Sequence, residues 1–138
     1  MVIKFLFASI LLLSGCSDNS MSMVHNKKIL DEKIECLRLV VFPPKQDIND
    51  ALESVYEFKD DCDLALIVSY KGGIVCNSNQ NSEKKALGMP NSYIRLEIKR
   101  ANQLFYSYYK DIYDEITQQD IKDGFDKIKK DLTFTKSQ

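Results

Sequence analysis

The chain of 138 residues has no tryptophan, one histidine, three prolines and five glycines. A single histidine, His25, removes most arrangements in which an imidazole base activates a serine or cysteine, and most zinc sites as well. It sits in a polar stretch near the start, where a solvated side chain is its expected role. Neither charge dominates: 19 basic against 20 acidic residues gives a net charge of −1, without the basic excess that nucleic acid draws. The strongest local excess, Lys127, Lys129 and Lys130, is interrupted by Asp126 and Asp131 and reads as a solvated helix face. No apolar run approaches the roughly 20 residues a membrane-spanning helix needs. A C-x-x-C redox pair is missing, and Lys71-Gly72-Gly73 lacks the context of a phosphate-binding loop. No internal repeat and no second domain are visible.

What is present begins at the N-terminus. Lys4 precedes a short apolar run from Phe5 to Leu13, and the small residues Ser14 and Gly15 lead to Cys16. A basic start, a short apolar core and small residues at the exit describe a secretory signal rather than a membrane span. Leu13-Ser14-Gly15-Cys16 resembles the lipobox of bacterial lipoproteins, and the resemblance covers residues 1–16 only. It implies removal of residues 1–15, a diacylglyceryl thioether on Cys16 and acylation of the new amine. One acyl chain holds a protein only marginally on a bilayer, whereas two or three make a stable anchor. The residue after Cys16 is Ser17 rather than Asp, which for this family implies sorting to the outer membrane, facing the periplasm. Ser17-Asp18-Asn19-Ser20 favours turns and caps over a helix interior. Residues 16–26 therefore read as a flexible tether and 27–138 as one domain.

Three further cysteines, Cys36, Cys62 and Cys76, belong to that domain. In an oxidising compartment they allow one intramolecular disulfide and leave one thiol over. Cys62–Cys76 closes about 15 residues, for roughly 3 kcal/mol in the chain-entropy model. Cys36–Cys62 is the second pairing, and three small buried hydrophobes are the alternative to any bond.

The rest of the pattern predicts an α+β fold: a small mixed or mainly antiparallel sheet of four to five strands, packed by two main helices. Residues 36–42, ended by Pro43-Pro44, read as a strand following a helical turn or two. Asp47 offers an N-cap for an amphipathic helix running to about residue 59. Residues 64–70 are β-prone, and Ile74-Val75-Cys76 reads as a return strand after a glycine turn. A polar loop, 77–91, holds a single helical turn at 83–87. Tyr93–Arg100 alternates cleanly and joins Leu104–Lys110 through a two-residue tip, Ala101-Asn102. In that register Ile98 faces Phe105, and Tyr106 and Tyr108 stand on the outer face beside Glu97 and Arg95. A tip one residue longer reverses every side chain. Thr117-Gln118-Gln119-Asp120 resembles a capping box for a helix at 118–131, with Ile121, Phe125, Ile128 and Leu132 on one face. Gly124 inside it lets another element approach closely.

Tyrosine and arginine are enriched at protein interfaces. Tyr93, Arg95, Tyr106 and Tyr108 are accordingly the candidate partner-binding residues, with completion of a core as the other role for the two later tyrosines. No catalytic or metal-binding residues are assigned. Asp60, Asp61 and Asp63, like Asp120, Asp123 and Asp126, lack the spacing of a calcium loop. A carboxylate pair for glycoside hydrolysis needs a cleft between its members. No cofactor beyond the covalent lipid is expected. The expected role is a non-enzymatic protein-binding lipoprotein: an accessory subunit of an envelope, secretion or conjugation assembly, or a toxin-immunity or inhibitor protein. A small periplasmic hydrolase or a ligand carrier is the alternative.

Overall fold

The computed structural model describes residues 19–72 and 90–135. The lipobox, the return strand at 74–76 with Cys76, and the turn at 83–87 lie outside the described residues. Strands β1 (Ser20–Val24), β3 (Arg38–Phe42), β4 (Leu64–Lys71), β5 (Ser92–Arg100) and β6 (Gln103–Ile112) form one mixed sheet in the order β1-β6-β5-β4-β3. Within this sheet only β3 and β4 pair in parallel, with α2 (Gln46–Glu53) carrying the crossover between them. Helix α3 (Gln118–Asp131) follows β6. The single turn α1 (Lys28–Asp31) precedes β2 (Lys33–Ile34), which pairs in parallel with β7 (Thr133–Phe134) in a two-stranded clasp. This is the expected α+β class with a five-stranded mixed sheet.

Helices α2 and α3 pack on one face of the sheet. Ile48, Ala51 and Leu52 of α2 and Ile121, Phe125 and Ile128 of α3 are buried, as their helical spacing requires. They meet Leu66, Val68, Leu96 and Ile98, each below 1 % exposed, from the alternate positions of β4 and β5. Thr117 caps α3 as expected: its side chain accepts from the Asp120 amide, and the Asp120 carboxylate accepts from the Thr117 amide. Helix α2 departs from expectation at both ends. Lys45 is its N-cap and Asp47 lies in the first turn, near the helix's positive end. The chain leaves the helix at Ser54, so that Tyr56 and Phe58 turn back onto Phe125, with ring centroids 5.5 and 5.8 Å away.

Two expectations are overturned. The first is the tether: Ser20–Val24 is an edge strand, its register running from Ser20 opposite Lys110 to Val24 opposite Tyr106. Ser-Met-Ser-Met-Val alternates with a period of two, but serine on the inward positions hides the strand from a hydrophobicity reading. The second is the hairpin register. The tip has the two expected residues, Ala101 and Asn102, between Arg100 and Gln103. A β-bulge then leaves Phe105 without a partner, and the ladder resumes with Ile98 opposite Tyr106 and Leu96 opposite Tyr108. One extra residue reverses the faces of everything after it.

The disulfide joins Cys36, just before β3, to Cys62, just before β4, with Cα atoms 5.9 Å apart. Cys62 is therefore committed to Cys36, and the shorter Cys62–Cys76 loop is not the one formed.

Candidate interaction surface

Both long helices lie on one face, and among the described residues no helix covers the other face of the sheet. The strand registers place Met21, Tyr109, Arg95, Ser69 and Phe42 in one row across all five strands. At a strand spacing of about 4.8 Å, that row spans roughly 19 Å. Met23, Ser107, Glu97, Ile67 and Val40 form the next row, and Asp111, Tyr93 and Lys71 flank the first on its other side.

Tyr93 and Tyr109 stack at the centre, with ring centroids 5.6 Å apart and planes 25° from parallel. The Arg95 guanidinium lies 5.8 Å from the Tyr109 ring centre, within cation–π range. The Tyr109 hydroxyl donates to Asp111 Oδ1 at 2.7 Å. That bond, with a smaller contribution from burial, raises the phenol above its ordinary pKa and keeps it a neutral donor. Glu97 and Lys99 pair at 3.9 Å along the same strand face. The row ends in two exposed apolar side chains, Met21 at 63 % and Phe42 at 69 % exposure.

Of the four residues expected to bind a partner, Tyr93 and Arg95 stand on this face. Tyr106 and Tyr108 do not: the bulge turns both into the core, at 1 % and 3 % exposure. Burial, and then the bond from its hydroxyl to Asp131 Oδ2 at 2.6 Å, push the Tyr106 phenol well above its ordinary range. Partial burial works against the charge of Asp131, but hydrogen bonds from Lys127 and Tyr106 outweigh it and hold that carboxyl below the usual carboxylate range. Tyr108 lies under α3, where a Cβ on Gly124 would stand 2.8 Å from its Cε1 atom. The close approach expected at Gly124 is thus to a tyrosine ring. Tyr109, the residue the surface gains, alternates with Tyr108, and the bulge that turns it outward leaves no mark in composition.

His25 also changes place. It follows β1 directly, and its Nε2 lies 2.7 Å from Ser107 Oγ on the open face. A histidine beside a serine is the core of an acyl-transfer site. Among the described residues, however, no carboxylate bonds the other ring nitrogen, and both groups stand on an open sheet surface rather than in a cleft. Nor do any three His, Cys, Asp or Glu side chains among the described residues gather as a metal site. Asp120 and Asp126 are engaged by Lys110 and Lys129, at 3.3 Å each. No helix of the described residues is long and apolar enough to cross a membrane. No protein-family model, curated protein or solved structure matches this chain.

Proposed function

We propose that the chain is a lipid-anchored envelope protein, held through Cys16 in the outer membrane and facing the periplasm. In this reading it has no catalytic role and binds another envelope protein through the sheet face opposite its two long helices. One observation carries the binding reading: a stacked tyrosine pair with an arginine against it, at the centre of an open face edged by exposed Met21 and Phe42. Interface hot spots have this composition and central position. Rigid aromatic rings give large contact area at little entropic cost. The partner identifies the finer role, an assembly subunit or an inhibitor of a toxin or hydrolase.

The test is affinity capture from the native envelope with Arg95→Ala and Tyr109→Ala combined. Truncating two hot-spot residues at about 2 kcal/mol or more each weakens binding at least 30-fold per residue. Thermal unfolding should move little, since both side chains are on the surface. Undiminished capture by the double variant would rule this face out. Cys16→Ser should remove acyl labelling and membrane association together, and retention of both would dismiss the anchor. A hydrolase would instead use Ser107 with His25. Phosphonylation of Ser107 by a fluorophosphonate probe, with fluoride leaving, abolished by His25→Ala, would displace the binding reading.

A further inference from the structure

The edge strand β1 shortens the anchor. Only residues 17, 18 and 19 separate Cys16 from Ser20, which is already paired with Lys110 of β6. The carbonyl of Asn19 accepts from the Asp111 amide, so the chain is fixed to the sheet even one residue earlier. Fully extended chain covers at most about 3.6 Å per residue, so Ser20 lies within roughly 14 Å of the Cys16 backbone. A freely moving eleven-residue tether, as the sequence pattern alone had it, would reach more than twice as far.

The end of the sheet fixed in this way is well defined. Ser20 faces the last residues of β6, and the ends of β3 and β4 and the start of β5 lie at the same end. Both long helices begin there too, with Lys110 paired to Asp120 and the Gln118 side chain donating to the Asp47 carbonyl. Three of the exposed large apolar side chains lie toward this end: Met21 and Phe42 on the two opposite edge strands, and Tyr113 just past β6, 45 % exposed. Phe42 is followed by Pro43-Pro44-Lys45, and Lys71 ends β4. Apolar and aromatic tips beside lysines suit the boundary between acyl chains and headgroups. Asp114 and Glu115 are also present, so the leash rather than net charge selects this surface.

Resting on the reading of Cys16 as the lipidated residue, we infer that this end of the sheet, presented by Met21, Phe42 and Tyr113, is a lipid-facing surface kept against the bilayer by three residues of chain. The hairpin tip then points away from the membrane, by about 33 Å for the ten-residue strand β6. The open face stands upright between the two, so a partner docked there must itself be at or near the membrane surface.

The absence of native tryptophan makes the test direct. Single substitutions Phe42→Trp and Tyr113→Trp report on the anchored end. Leu30→Trp reports on the far end, where α1 follows the His25 and Asn26 amides bonded to the Phe105 carbonyl. Each lipidated protein is reconstituted in vesicles of phosphatidylethanolamine and phosphatidylglycerol carrying brominated acyl chains. The expected result is a blue shift and strong quenching at positions 42 and 113, with neither at position 30. Inserting 20 Gly/Ser residues after Asp18 should abolish the quenching at position 42, because such a linker spreads over roughly 25 Å. Flotation with the vesicles should persist. Three outcomes overturn the inference: no quenching at 42 and 113 while the protein floats, equal quenching at both ends, or quenching that survives the insertion. If the protein with Cys16 intact does not float at all, the anchor reading itself fails and takes the leash with it, and that result is distinct from the other three.

Discussion

Replacing Gly124 by alanine sets helix propensity against packing. At an exposed position inside a helix, alanine is more stable than glycine by about 1 kcal/mol. Gly124 is buried against the sheet, and an added Cβ would meet Tyr108 at 2.8 and 3.0 Å and Leu96 Cδ2 at 3.3 Å. The tyrosine ring is 3 % exposed and held between α3 and β6, so it has little room to retreat. Forcing a methyl group into a filled core costs about 1–3 kcal/mol. The net expectation for Gly124→Ala is therefore between no change and a loss of about 2 kcal/mol, opposite in direction to propensity alone. Urea unfolding followed by far-UV circular dichroism measures it. Tyr108→Leu removes the ring, and in that background Gly124→Ala should recover the helical gain, for a coupling energy of about 1–3 kcal/mol. If Gly124→Ala is equally stabilising in both backgrounds, the tyrosine does not constrain this site and the packing argument is wrong.

Other expectations are independent of that site. Cys36–Cys62 closes a span of 26 residues, for about 3.5 kcal/mol in the chain-entropy model. Replacing both cysteines by alanine should lower the thermal midpoint by roughly 10 °C, read by calorimetry. Thr117→Ala removes half of the capping box and should cost about 1 kcal/mol in denaturant. Tyr106→Phe loses a hydrogen bond to a charged acceptor and should cost about 1.5–3 kcal/mol, also in denaturant. Asp120 and Asp131 titrate below the ordinary range in the folded state: partial burial opposes their charge, but bonds from Thr117 and Lys110, and from Lys127 and Tyr106, outweigh it. Near and below the unfolded aspartate pKa of about 3.9, the unfolded chain takes up these protons first, so stability falls with acid and is fully present only above that value. Tyr106→Phe with Lys127→Ala should flatten the acid limb of stability measured from pH 5 to pH 2.

The elements that declared themselves in sequence have one consistent period and a clean punctuation. β3 ends at Pro43-Pro44, β5 alternates from Ser92 to Lys99, and α3 carries both its cap and an apolar stripe. Features that escaped depend on the partner strand rather than on the segment itself. β1 has serine at two of its five positions, and it is a strand because β6 offers it an edge. Two-residue strands such as β2 and β7 are too short to show any period. The candidate surface was half legible: Tyr93 and Arg95 lie before the bulge and keep their face, while Tyr106, Tyr108 and Tyr109 lie after it and exchange theirs. Where a bulge falls is decided by how Phe105 and the hairpin tip settle on the core, and no residue type announces that.

The pairing of β1 with β6 also decides how the molecule bears a load. Tension applied at Asn19, drawn away from the Ser20 end along the strand, runs parallel to β1 and perpendicular to its ladder of hydrogen bonds. All the rungs are then sheared at once instead of being unzipped one after another from an end. Beyond Val24 the chain is held again, where the Phe105 carbonyl takes the amides of His25 and Asn26. A pull on the N-terminus therefore reaches the whole sheet together, and the joint resists as a lap seam does rather than as a strip being peeled.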